Sequence, residues 1–211
     1  ITLLSSSREH ELIGLITNPD KATGRGMNIV PNELASWGMS NGINVLKPEG
    51  RDNLKDLIKT LNPEIVITIA YGQIIPEDFL NLPKYGWINV HFSSLPRWRG
   101  AAPVQRAIEA GDSLSGVTVF QLDEGMDTGP IFSTKRFALD ADITSDELFI
   151  ELAALGVESV EESLQDIAQG KRPIGQPKEG ATRALKITKQ ECEIDWSQDA
   201  QTISQKIRAF T

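Results

Sequence analysis

The stretch IVITIA, Ile65–Ala70, sets the reading of this chain. It is a continuous β-branched run in which Thr68 is the one polar residue, and it lacks the polar alternation of a half-solvated strand. Such a run is expected of a strand covered on both faces in a parallel sheet. It is far too short to span a bilayer, which takes about 20 residues as a helix.

Working outward, each neighbour alternates with it. Upstream, Leu12–Thr17 (LIGLIT) reads as a strand closed by the turn signal Asn18-Pro19-Asp20. A polar loop is expected over Asp20–Asn28, a helix over Asn32–Asn41 and a short strand at Asn44–Leu46. A second helix follows over Asn53–Leu61, with Leu54, Leu57, Ile58 and Leu61 at helical spacing. Downstream come a short helix Pro76–Leu80, a strand Trp87–His91, a helix Ala102–Ala110, strands at Gly116–Gln121 and Ile131–Phe137, and a long helix Ser145–Gln169 closed by Gly170. This alternation predicts an α/β domain with a Rossmann-like, doubly wound, mostly parallel sheet over residues 1–170. Ligands of such sheets bind at the carboxyl ends of the strands.

From Lys171 the texture changes. KRPIGQPKEGATRALK has two prolines, two glycines and no helical face, so residues 171–188 read as a linker. Residues 189–211 are too few to bury a core of their own and read as the start of a second domain. At the other end, Ile1–Arg8 reads as the tail of a helix, whereas a doubly wound sheet opens with a strand. One strand and most of its helix, roughly 20 residues, are expected ahead of it.

The 211 residues carry a net charge of −8 and one cysteine, Cys192. An acidic balance argues against general nucleic-acid affinity, which needs basic surface, though a local basic patch remains open. One cysteine excludes an internal disulfide and fits a reducing compartment. With two histidines in the chain, no spacing suggests a metal site.

The chemistry concentrates in INVHFSSLPRWRGAAPVQ, Ile88–Gln105. Residues two apart on a strand share a face, so Asn89 and His91 project together at a carboxyl end. A carboxamide can donate to a developing oxyanion, and imidazole suits proton movement near neutrality. Asp127, in DEGMDTG, is placed to follow a neighbouring strand's carboxyl end and to orient His91. On spacing alone a structural His–Asn pair stays open beside a catalytic one, and Arg97–Trp98–Arg99 reads equally as ordinary surface. The Gly24-Arg25-Gly26 stretch does not continue as a dinucleotide fingerprint. His10 lies in a charged stretch and is expected to be solvated. Spacing by itself reaches an α/β enzyme acting on a carbonyl and no further.

Asn89-x-His91 with Ser93–Pro96, then Gly100 and the later Asp127, resembles the folate-dependent formyltransferase family. PRWRGAAPVQRAI (Pro96–Ile108), TNPDKATGRGMNIVP (Thr17–Pro31), AYGQIIP (Ala70–Pro76), LDEGMDTG (Leu122–Gly129) and KITKQECEIDW…IRAF (Lys186–Phe210) resemble the branch that formylates methionyl-tRNA. The resemblance implies 10-formyltetrahydrofolate as formyl donor, initiator methionyl-tRNA as acceptor, and no metal. It implies catalysis by Asn89, His91 and Asp127, with Ser93, Ser94, Leu95, Pro96, Leu122, Asp123, Glu124 and Gly125 along the folate. Arg25, Arg97 and Arg99 are then expected at the tRNA. A cytoplasmic monomer is expected, without membrane, continuing past IRAF into a β-barrel-like C-terminal tRNA-binding domain. Ser94 departs from the family's usual leucine at that place. Three other readings stay in view: an amino sugar nucleotide or small amine as acceptor, a folate- or tRNA-binding module without turnover, and a nicotinamide oxidoreductase.

Overall fold

The computed structural model describes residues 1–23, 27–72 and 74–211, and divides into two compact units. The first comprises Ile1–Glu64 with Asn81–Lys84; the second comprises Ile65–Leu80 with Tyr85–Thr211.

In the first unit, α1 (Thr2–Ser5) leads to β1 (Leu15–Ile16), which pairs in parallel with β4 (Val45–Leu46). Between them lie β2 (Lys21–Thr23), β3 (Asn28–Val30) and α2 (Glu33–Ser40). The polar loop expected over Asp20–Asn28 is in part a hairpin, since β2 and β3 pair antiparallel with Lys21 opposite Val30. The alternation signal was hidden there by the charged and glycine-rich composition. Asn32 caps α2: its Oδ1 accepts the Ala35 N–H at 2.9 Å while its Nδ2 donates to Thr17 Oγ1 at 3.1 Å. Gly38 lets α2 approach the strand pair, for a Cβ there would sit 2.7 Å from Val45 Cγ2 and 2.9 Å from Leu15 Cδ2. The second helix, α3, spans Gly50–Leu61 and buries Leu54 and Ile58, as the spacing required. His10 is half-buried rather than solvated.

In the second unit, β5 (Val66–Ile69) precedes α4 (Glu77–Leu80), β6 (Trp87–His91), β7 (Arg99–Gly100) and α5 (Pro103–Glu109). Then follow β8 (Leu114–Gln121), β9 (Ile131–Ala138), α6 (Ser145–Ala168), β10 (Arg183–Ala184) and α7 (Ala200–Ala209). The α/β class read from the sequence is the one found. The four-stranded sheet runs β5-β6-β8-β9 and is mixed: β5 and β6 are parallel, whereas β8 pairs antiparallel with both β6 and β9. A nine-residue loop without a crossover helix joins β8 to β9, which permits only the antiparallel arrangement. Cover over β5 is also incomplete at its carboxyl end, where Ile69 stands 48% exposed.

The pleat sorts the sheet into two faces. Val90 and Val117 face α6, where Gly156 admits them: a Cβ on Gly156 would lie 3.4 Å from Val90 and 3.7 Å from Val117. Asn89 and His91, with Phe120 and Thr118 opposite them in register, share the other face. Thr144 and Glu147 cap α6 reciprocally. Val104 and Ile108 of α5, Leu148 and Leu152 of α6, and Ala209 of α7 form one buried cluster, so the chain's last helix packs into this unit. Among the described residues no helix is long and apolar enough to cross a membrane.

A short helical turn at Gln190–Cys192 is tied to α5 by Arg106, whose Nη2 lies 2.7 Å from Glu191 Oε1. The Arg106 guanidinium, with the N–H and hydroxyl of Thr188, pulls the Glu191 carboxyl from its ordinary 4.5 down to about 2. A depressed carboxylate contributes stability above its unfolded value and loses it as pH falls through the folded one. Glu191→Gln is therefore expected to lower the melting temperature at neutral pH, with a deficit that shrinks below about pH 4.5 and closes near pH 2. A deficit independent of pH would show that the ion pair is not its source.

Candidate active site

Strand β6 delivers both Asn89 and His91 to one face, as period-two spacing requires. The Asn89 carbonyl is already engaged: Oδ1 accepts the Thr68 hydroxyl of β5 at 2.7 Å, and the two residues are partners in register. This leaves the Asn89 Nδ2 donor without a hydrogen-bond partner among the described residues. Thr68 was missed in the sequence, where it looked like a lone polar break in an apolar run.

His91 is 6% exposed and held from two sides. Its Nε2 lies 2.8 Å from the Trp98 carbonyl oxygen. A carbonyl can only accept, so the hydrogen sits on Nε2, and Nδ1 is the nitrogen at which a proton can come and go. Nδ1 faces Asp127 Oδ2 at 3.7 Å, and the imidazole and Phe120 rings stand T-shaped with centroids 6.4 Å apart.

Asp127 arrives by an unexpected route. Because β8 is antiparallel to β6, its carboxyl end is level with Ile88, not with His91. The loop 122–130 doubles back, with the Leu122 N–H donated to Trp87 O and the Gln121 N–H to Pro130 O, both 2.8 Å. Gly129 permits the closure, as a Cβ there would fall 1.8 Å from the Gln121 oxygen. Asp127 itself has φ +54, a left-handed conformation that aspartate tolerates better than most residues. Its Oδ2 accepts the Gly100 N–H at 2.7 Å. Gly100 has φ +125 and passes so close to β10 that a Cβ would lie 2.5 Å from the Ala184 oxygen. No other residue fits that position.

The serine loop is built from inside. Ser93, 1% exposed, donates its hydroxyl to Arg97 O at 2.7 Å, and Ser94 donates to Ser115 O at 3.0 Å. Thr118 clamps the same stretch by donating to Ser93 O at 2.7 Å and accepting the Leu95 N–H at 3.2 Å. Leu95 is buried and Pro96 half-buried, joined by a cis peptide bond. In the other loop Leu122 is half-buried, while Asp123, Glu124 and Gly125 are exposed and Asp123 Oδ1 accepts from Gly125 N and Thr128 Oγ1.

The arginines expected at a polyanion have internal partners. Arg97 forks onto Asp112 (2.8 and 2.6 Å) and lies 4.4 Å above the Trp98 ring, whose Nε1 donates to the same carboxylate. Asp112 holds the Arg97 guanidinium above its usual range. Arg99 donates twice to Gln176 Oε1. Arg25 lies outside the described residues. Among the described residues no group of three or more His, Cys, Asp or Glu side chains could hold a metal ion.

The arrangement offers one free amide donor, one buried imidazole with a defined proton-exchanging nitrogen, and a carboxylate beside it. Such a set can bind an oxyanion and move a proton at a carbonyl centre. Thr68→Val removes the hydrogen bond that turns Asn89, and a loss of about tenfold in turnover is expected, the scale of one hydrogen bond. Thr68→Ser should restore it; equal loss in both would point to packing instead.

Comparison with known proteins gives the family of the chain. The formyl transferase family matches residues 2–163, and its C-terminal domain matches residues 186–211. The methionyl-tRNA formyltransferase of Stenotrophomonas maltophilia is 38% identical over 216 residues, taking in 99% of this chain and 69% of its own. Among solved structures, a 4-N formyltransferase from Francisella tularensis superposes with a TM-score of 0.77 at 18% identity, covering 100% of this chain and 81% of its own. The N-formyltransferase from Helicobacter canadensis, in complex with folinic acid and dTDP-3-aminofucose, gives 0.67 at 20% identity over 92% of this chain and 68% of its own. With its fold and its long matched stretch in accord, this chain belongs to the formyl transferase family.

Proposed function

We propose that this chain transfers the formyl group of 10-formyltetrahydrofolate to the α-amino group of methionyl-tRNA, with Asn89, His91 and Asp127 as the catalytic set. The observation that carries the acceptor is the 38% identity to a methionyl-tRNA formyltransferase, sustained over nearly the whole chain. The folate donor is supported by the folinic acid bound to the Helicobacter canadensis relative in fold.

In the reaction one N–H of the amine is exchanged for a new N–C bond, and the departing folate nitrogen gains a proton. Asn89 Nδ2, freed by the Thr68 contact, donates to the oxyanion that forms on attack. His91 Nδ1 accepts the proton lost by the amine and returns it to the leaving nitrogen, ending as it began. Asp127 stabilises the imidazolium in between, at 3.7 Å. With both serine hydroxyls turned inward, Ser93–Pro96 meets the folate through backbone, and the substitution of Ser94 for leucine leaves that contact intact. Leu122–Gly125 forms the facing wall.

Amino sugar nucleotides are the competing acceptor, since the structural relatives named above include a protein complexed with one. Formyl transfer by the full-length protein to charged initiator tRNA, dTDP-amino sugar and a small amine separates these readings. Preferred transfer to the tRNA is expected, with a loss of roughly a hundredfold or more in His91→Ala. Transfer to the sugar alone would move the acceptor and keep the chemistry. Full activity in His91→Ala would remove the histidine from the mechanism.

A further inference from the structure

The segment expected as a spacer is woven into the site. Ile174 and Ile131 exchange backbone hydrogen bonds, and β10 runs parallel to β7 with Arg183 opposite Arg99. Thr182 Oγ1 accepts the Trp98 N–H at 2.9 Å, and Ala184 O accepts the Ala101 N–H at 2.8 Å. At its centre is Gln176. Its Nε2 donates to two carbonyls of the returning loop, Asp127 O at 3.0 Å and Gly129 O at 2.8 Å. Its Oε1 accepts from Arg99 Nε at 3.1 Å and Nη2 at 2.6 Å. The two family matches end at 163 and resume at 186, so Gln176 falls between them.

We propose that Gln176 is a positioning residue for the transfer reaction, acting through Asp127; the inference rests on the assignment of Asn89, His91 and Asp127 made above. Asp127 meets His91 only because its backbone is held left-handed at φ +54 in a loop that doubles back. Four hydrogen bonds to one half-buried carboxamide fix that backbone from behind and tie it to Arg99, the residue before Gly100. Gly100 in turn donates to the Asp127 carboxylate. Gln176 therefore sets both ends of Asp127, its main chain directly and its side chain through β7. The chemistry of the position is specific. Only a carboxamide both accepts from a guanidinium and donates to two carbonyls. A glutamate of the same shape keeps the arginine contact and turns carboxylate lone pairs against the Asp127 and Gly129 oxygens.

The test uses the full-length protein with Gln176→Glu, Gln176→Ala, Asp127→Asn and the two double variants. Each Gln176 variant is expected to lower kcat by about 10- to 100-fold, the scale of a misplaced catalytic group, with KM for the folate donor changed by less than about threefold. In the Asp127→Asn background the same Gln176 changes should cost less than about twofold, because the route through Asp127 is already gone. Effects that multiply independently would overturn the proposal, as would an unchanged kcat. A readout free of any substrate accompanies these: the ring resonances of His91, one of two histidines in these 211 residues, should move in Gln176→Glu in the direction they move in Asp127→Asn, with His10 still. Unmoved His91 resonances would contradict the proposal even if the acceptor assignment were wrong. Should Gln176→Ala fail to fold, the isosteric Gln176→Glu carries both measurements.

Discussion

One backbone carbonyl organises this site. The Trp98 oxygen, 2.8 Å from His91 Nε2, decides which imidazole nitrogen carries the hydrogen and so which one can exchange a proton. That carbonyl is aimed by a chain turned into an unfavourable conformation, since Trp98 has φ +63. A non-glycine residue there costs on the order of 1–3 kcal/mol and persists only where its surroundings determine it. Here they do: Thr182 takes the Trp98 N–H, Asp112 takes its indole N–H, and the Arg97 guanidinium covers its ring. The strain at Trp98 and the left-handed turn at Asp127 face each other across His91. Gly100 joins them by donating to the Asp127 carboxylate from the strand that follows Trp98.

Much of the fold was legible because it rests on periodicity. The β-branched run at 65–70 and the spacing of Leu54 and Ile58 each found their predicted element, and Asn89 and His91 fell on one face because a strand has period two. What the period could not supply was direction. Nothing in Gly116–Gln121 distinguishes a parallel from an antiparallel strand, and for that reason the route that brings Asp127 to 3.7 Å from His91 was not legible. The antiparallel pair of Lys21–Thr23 with Asn28–Val30 was missed because each strand is only three residues long.

Side chains whose partners are distant in sequence were the least legible. Thr68 turns Asn89 from the next strand over, and Gln176 reaches Asp127 from 49 residues away. Neither leaves a local pattern. The arginines show the converse difficulty. From the sequence Arg97 and Arg99 were two cations in a loop; in the structure one is forked onto Asp112 and the other spent on Gln176. Only the first is neutralised, since the carboxamide of Gln176 accepts hydrogen bonds but carries no charge.

The central claim is that the Trp98 carbonyl fixes the Nε2–H tautomer of His91 and reserves Nδ1, beside Asp127, for proton exchange. Nitrogen-15 spectra of the two histidine rings, recorded with the rings neutral, address it directly. The account predicts a protonated Nε2 and a bare Nδ1 for His91, with the Nε2–H resonance lost or displaced when Gly100→Ala forces β7 away from Ala184. A protonated Nδ1 in the neutral ring would contradict it, for the Trp98 carbonyl would then face a lone pair and the proposed exchange site would already be filled.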